Sequence, residues 1–239
     1  MSRIYTLTLF IIRTLFRSLT GAIPPVLTLF FYGSTFHLFP FDADYLISVG
    51  GFEMVLVCLA TSFLITDKIN RAATYPLVQR LSNRSDLLAA TVVSSILITS
   101  ILALFLVLAA VLRHQAWLTS LEILHLTIRW LVLLTFTAVF SLHLSQLVAR
   151  NYSHFVSYFV LAIFVTINEQ ERVLLDRQLD WLVDGLDMIT YPLKTTLSGA
   201  TGLSISQYIQ PLLFTIAYTA ALSALAAWLF RRKDLLWTE

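Results

Sequence analysis

The sequence predicts an all-α, polytopic membrane protein. Of its 239 residues, 58% are hydrophobic and only 13% are charged, against about 25% charged in a soluble globular domain. Mean hydropathy is +0.80. The apolar residues gather in runs of about 20, the length that crosses a bilayer as a helix. A folded surface is already more than half apolar, so no water-soluble domain of this size hides so much more. A soluble enzyme, a disordered tail and a nucleic-acid-binding domain are excluded. A net charge of +2 gives no pull toward a polyanion.

Residues 1–18 precede the first long run. Arg3, Thr6, Arg13, Thr14 and Arg17 share one side of a 3.6-period helix, and Ile4, Leu7, Ile11, Leu15 and Leu19 share another. That pattern is a basic amphipathic helix suited to the membrane interface. Arg13 and Arg17 interrupt the apolar stretch and no small-x-small site follows, so a cleavable signal peptide is not expected. Pro24 and Pro25 come next. Proline cannot donate to a helical ladder, and a bend is expected there.

Six spans are expected, at 19–38, 46–66, 87–112, 118–148, 154–168 and 209–230. The fifth is short and ends on Thr166, Asn168 and Glu169. Basic residues set the orientation. Arg3, Arg13, Arg17, Lys68, Arg71, Arg80, Arg84, Arg150, Arg231, Arg232 and Lys233 fall on one side. Only Arg113, Arg172, Arg177 and Lys194 fall on the other. The positive-inside rule puts both termini in the cytoplasm of an inner (plasma) membrane protein. Tyr5, Tyr45, Trp117, Tyr152, Tyr208 and Trp237 lie near span ends, where an aromatic belt sits.

Two connections carry information. Residues 67–86 form a charged cytoplasmic loop with a short helix-sized stretch, and Ser85 or Asp86 can cap the third span. It reads either as a topology-fixing loop or as a dock for a cytoplasmic partner. Residues 169–208 form the long outer loop. Within it Asp176, Asp180, Asp184 and Asp187 make one helical stripe, with leucines filling the rest until Tyr191 and Pro192 break it. These aspartates form a row, not a converging loop, so a metal site is not expected.

Ionisable residues inside spans are costly and are candidates for function. They are Glu53 in the second span and Glu122, His125, Arg129 and His143 in the fourth. The last four fall within about 60° of one another at about 100° per residue. They read either as a polar lining that meets substrate or as a structural network, with Glu53 and Arg129 as a possible pair. Cys58, the single cysteine, has no disulfide or metal partner and reads as a small buried residue. The five histidines show no i,i+4 pair, which disfavours a zinc enzyme. Asn83 and Asn151 head glycosylation triplets in loops expected to be cytoplasmic. Neither a phosphate-binding loop nor a nucleophile elbow occurs.

This layout resembles the permease subunits of the ABC-2 (type V) family of ATP-binding cassette transporters. Those have a cytoplasmic N-terminal surface helix, six spans, a coupling segment after span 2, and a long outer loop between spans 5 and 6. Asp67, Lys68, Arg71, Thr74, Leu77, Ser82 and Arg84 stand at matching places, with Arg80 in the same segment. Ala73 stands where the family has Gly, and Leu81 where it has Pro. Phe230, Arg231, Arg232, Lys233 and Asp234 resemble the family's ending. The likeness covers the whole chain as one transmembrane domain.

The resemblance implies that 67–84 holds the coupling helix, and that the 169–208 loop caps the outer end of the pathway as a gate. A surface helix that merely shields the bundle is the competing reading of that loop. The chain would be no enzyme itself. Two separate ATPase subunits would bind ATP and Mg, and a second permease subunit, identical or related, would complete an exporter of a lipid-like or amphipathic substrate. Membrane lipid is an expected partner; nucleic acid is not. Two rivals belong to other classes. One is a non-transporting scaffold that recruits cytoplasmic partners. The other is a membrane-embedded enzyme, for which only Glu122, His125 and Arg129 come near a constellation.

Overall fold

A computed structural model describes residues 3–36, 45–69, 85–114, 119–145 and 205–232. Among them the chain is helical throughout, without strands. The helices are α1 (Arg3–Phe16), α2 (Ile23–Phe31), α3 (Gly51–Ile69), α4 (Ser85–His114), α5 (Ser120–Leu144) and α6 (Ile205–Arg232). A π-helical turn, Tyr32–Phe36, extends α2, and another, Leu46–Gly50, opens α3. Four segments are long and apolar enough to cross a membrane: Leu46–Ile69, Ser85–Leu112, Glu122–Leu144 and Ile209–Phe230. Counting the bent pair formed by Arg3–Phe16 and Leu19–Thr35 makes five. This is the architecture of a helical, multi-pass membrane protein. The expected fifth span, 154–168, and the outer loop as far as residue 204 lie outside the described residues; residues 205–208, expected to end that loop, instead open α6.

The corner after α1 is sharp, at 94°, but it is not at the prolines. Pro24 and Pro25 sit in the first turn of α2, where the missing N–H groups would have no intrahelical partner anyway. The chain breaks at Ser18, which is extended (φ −116°, ψ 152°). Its hydroxyl donates to the Leu15 carbonyl at 2.7 Å, and its own carbonyl accepts from the Gly21 N–H at 2.9 Å. Gly21 then passes so close to α1 that a Cβ there would lie 2.4 Å from the Leu15 carbonyl oxygen. Glycine at this one position lets the backbones touch.

The α3 helix is central. It packs on α1, α2, α4 and α5, while α6 packs on α5 and α4. Two-thirds of the best apolar window of α3 is buried, against 17% for α6, so α6 is peripheral among the described helices. One core cluster joins Leu7, Ile11 and Leu15 of α1 to Ile65 and Ile69 of α3, Leu87 and Leu88 of α4, and Phe230 of α6. A second joins Leu46, Met54 and Val57 to Leu106 of α4 and Leu126, Trp130 and Leu134 of α5. A third packs Val55 and Leu59 against Leu133 and Phe136, with Tyr218 of α6 beside them. Phe136 stacks on Phe140, ring centroids 5.7 Å apart.

Hydroxyls line these seams. Thr61, Thr91, Ser94, Ser95, Thr99 and Thr137 are buried, and each donates to the carbonyl four residues earlier in its own helix at 2.6–3.1 Å. Small side chains let helices approach closely in a bilayer. Back-bonding satisfies their hydroxyls without a partner helix.

Candidate functional site

The sequence-derived candidates separate into three places. The first is the end of α3. Asp67 and Lys68 close that helix. The Lys68 ammonium donates to the Thr14 carbonyl at 3.4 Å and to the Ser18 hydroxyl. Those acceptors sit at the C-terminal end of α1, where carbonyls lack intrahelical donors and the helix dipole favours a cation. The remaining coupling candidates, Arg71, Thr74, Leu77, Arg80, Ser82 and Arg84, lie outside the described residues. So do Asp176, Asp180, Asp184, Asp187 and Pro192.

The second place surrounds Glu53. Its side chain is 4% exposed. One carboxylate oxygen accepts from the Thr35 hydroxyl at 2.5 Å; the other has no hydrogen-bond partner. Thr35 lies in the π-helical turn that extends α2, so this bond ties the first long segment to the second. Arg129 is also buried, at 5% exposure. The Cys58 thiol donates to the Leu134 carbonyl of α5 at 3.6 Å. Glu53 lies five residues before Cys58 on α3 and Arg129 five residues before Leu134 on α5, about 7.5 Å along each helix. Five residues also turn each side chain about 140° away from the contact. No Glu53–Arg129 ion pair is present among the described residues, and the carboxylate bonds Thr35 instead. The neighbouring Trp130 indole donates to the Ile47 carbonyl at 3.3 Å.

The third place is the ends of α5. Glu122 forms a capping box with Thr119. The Glu122 N–H donates to the Thr119 hydroxyl at 3.3 Å, and the Glu122 carboxylate accepts from the Thr119 N–H at 2.7 Å. This satisfies backbone donors at the helix start. At the other end His143 Nε2 lies 3.0 Å from the Leu222 carbonyl of α6, an α5–α6 link in which the ring N–H donates. Glu122 and His143 are therefore about 31 Å apart along the helix. Shared angle does not make the α5 polar residues one site. His125 lies between them and is half-buried.

A groove of about 350 Å³ opens between α4 and α5, with Ala103, Val107, Leu126, Trp130 and Leu134 among its walls, and no ionisable side chain lines it. Among the described residues no cluster of His, Cys, Asp or Glu could hold a metal ion. Sequence reasoning missed Thr35, Ser18 and Thr119, all ordinary hydroxyls with no periodic signal. It also missed that Lys68 reaches α1. The chain matches no protein-family model, no curated protein and no solved structure.

Proposed function

We propose that this chain is the transmembrane subunit of an ATP-driven exporter of the ABC-2 type. Two such subunits would pair with two ATPase chains, which hold ATP and Mg, and would move a lipid-like or amphipathic substrate outward across the inner (plasma) membrane. Both termini face the cytoplasm, six spans cross the bilayer, and the outer loop 169–208 closes the far end.

The observation that carries this reading is the Lys68 contact. An ATPase that pushes on a short cytoplasmic segment moves a bundle only if that segment is tied to more than one helix. Lys68 stands where the 67–84 segment leaves α3, and it holds the end of α1. Leu7, Ile11 and Leu15 pack α1 on α3 and α4 beside it. Load entering at 67–84 is therefore shared among α1, α3 and α4. Glu53 and Thr35 join the first long segment to α3, carrying the same motion deeper.

The test is purification from native membranes in mild detergent, followed by mass spectrometry of the intact complex. Two nucleotide-binding chains per complex are expected. A complex with no nucleotide-binding chain overturns the transporter reading.

A further inference from the structure

The α1 helix carries two apolar faces, and the bundle uses only one. Leu7, Thr8, Ile11 and Leu15 are buried and span about 100° of the helical wheel at about 100° per residue. Tyr5, Leu9 and Phe16 fall in a separate arc of about 40°, and are 50%, 48% and 52% exposed. Arg13 and Arg17 occupy the next arc round and are exposed as well. Leu19, at the corner, is 95% exposed. No acidic residue occurs between Arg3 and Leu19.

We propose that this second face of α1 is a docking surface for anionic phospholipid of the surrounding leaflet. The 94° corner supplies the geometry. If Leu19–Thr35 runs across the bilayer, α1 runs along its plane. Tyr5, Leu9, Phe16 and Leu19 then enter the acyl boundary, as the apolar face of an interfacial helix does. Arg13 and Arg17, at the edge of that arc, reach the headgroup level. Guanidinium groups match phosphate oxygens with paired N–H donors. Charge is what selects the occupant: exposed leucine and aromatic groups suit any lipid, but an acid-free arginine edge favours an anionic one. The inference needs only that the chain spans a membrane, and stands apart from the exporter reading.

The test titrates the purified full-length chain in detergent with phosphatidylglycerol or phosphatidylcholine and counts retained lipid by native mass spectrometry. Phosphatidylglycerol is retained preferentially, and Arg13→Gln/Arg17→Gln lowers that preference by about thirtyfold at low salt, as expected for removing two basic groups from an anionic surface. Arg13→Lys/Arg17→Lys keeps most of it. Raising the salt collapses the preference in the unmodified chain, a readout that stands even if the glutamine variant unfolds. Unchanged preference in the glutamine variant, or a preference indifferent to salt, overturns the proposal. So does loss of a copurifying protein from that variant with lipid retention intact, which assigns the face to a protein partner.

Discussion

The Lys68 ammonium lies 3.4 Å from the carbonyl oxygen of Thr14, across a sequence separation of 54 residues. It thereby caps the C-terminal end of α1 with a side chain from the end of α3. A helix end that emerges at a corner has few other ways to satisfy its carbonyls.

Replacing Lys68 with Met keeps the apolar stem and removes the cap. The expected cost is about 1 kcal/mol, felt locally. Hydrogen exchange should quicken at the amides around residues 13–21, while α5 is unaffected. Unchanged exchange around the corner would show that Lys68 does not hold it.

Gly21→Ala tests the corner itself. The three atoms nearest the added Cβ are backbone atoms of Leu15 and Phe16, and backbone cannot swing aside as a flexible side chain can. The expected loss is about 2 kcal/mol, in the range of overpacking. It should come with weaker cross-linking between cysteines placed on α1 and α4. A variant as stable as the parent, with cross-linking intact, refutes the close approach.

Thr35→Val removes the hydroxyl donor from a buried carboxyl and should cost about 2 kcal/mol, measured by thermal unfolding in detergent. Combining it with Glu53→Leu should recover much of that loss, because both polar partners are then gone. Additive losses in the double variant would mean that the two side chains are not coupled.

Glu122 separates a cap from a transport residue. Glu122→Gln should retain stability, since glutamine serves at the same capping-box position. Glu122→Ala should lose about 1 kcal/mol. If alanine leaves stability untouched yet removes function, the residue acts in the pathway and not at the helix start.

Four of the expected spans were legible because a bilayer demands long apolar runs; the third of the expected six, 87–112, lies inside α4. The apolar repeat of α1 was legible but its destination was not: Leu7, Ile11 and Leu15, expected to face the membrane interface, pack into the bundle core, and Leu19, expected on the same face, is 95% exposed. The corner was not legible either. Two prolines in a row suggest a bend, but proline in a first turn is compatible with a helix, and the break falls at Ser18, with Gly21 then held against Leu15. Counting residues along the spans gave Glu53 and Arg129 similar depths. It could not give their directions, because rotation about a helix axis is set by which neighbours pack against it. Thr35 became the partner of Glu53 through that packing alone.

The self-bonded hydroxyls of α3, α4 and α5 have a mechanical consequence. Thr61, Ser94, Ser95 and Thr137 spend their donors within their own helices, so these hydroxyls lace no hydrogen bond of their own donors across the seams. Among the described residues the directional bonds between helices include Cys58 to Leu134, Trp130 to Ile47 and His143 to Leu222. Such a seam behaves as a slip plane. One helix can be displaced along another by a fraction of a turn at the cost of a contact or two, and return without leaving a broken ladder behind.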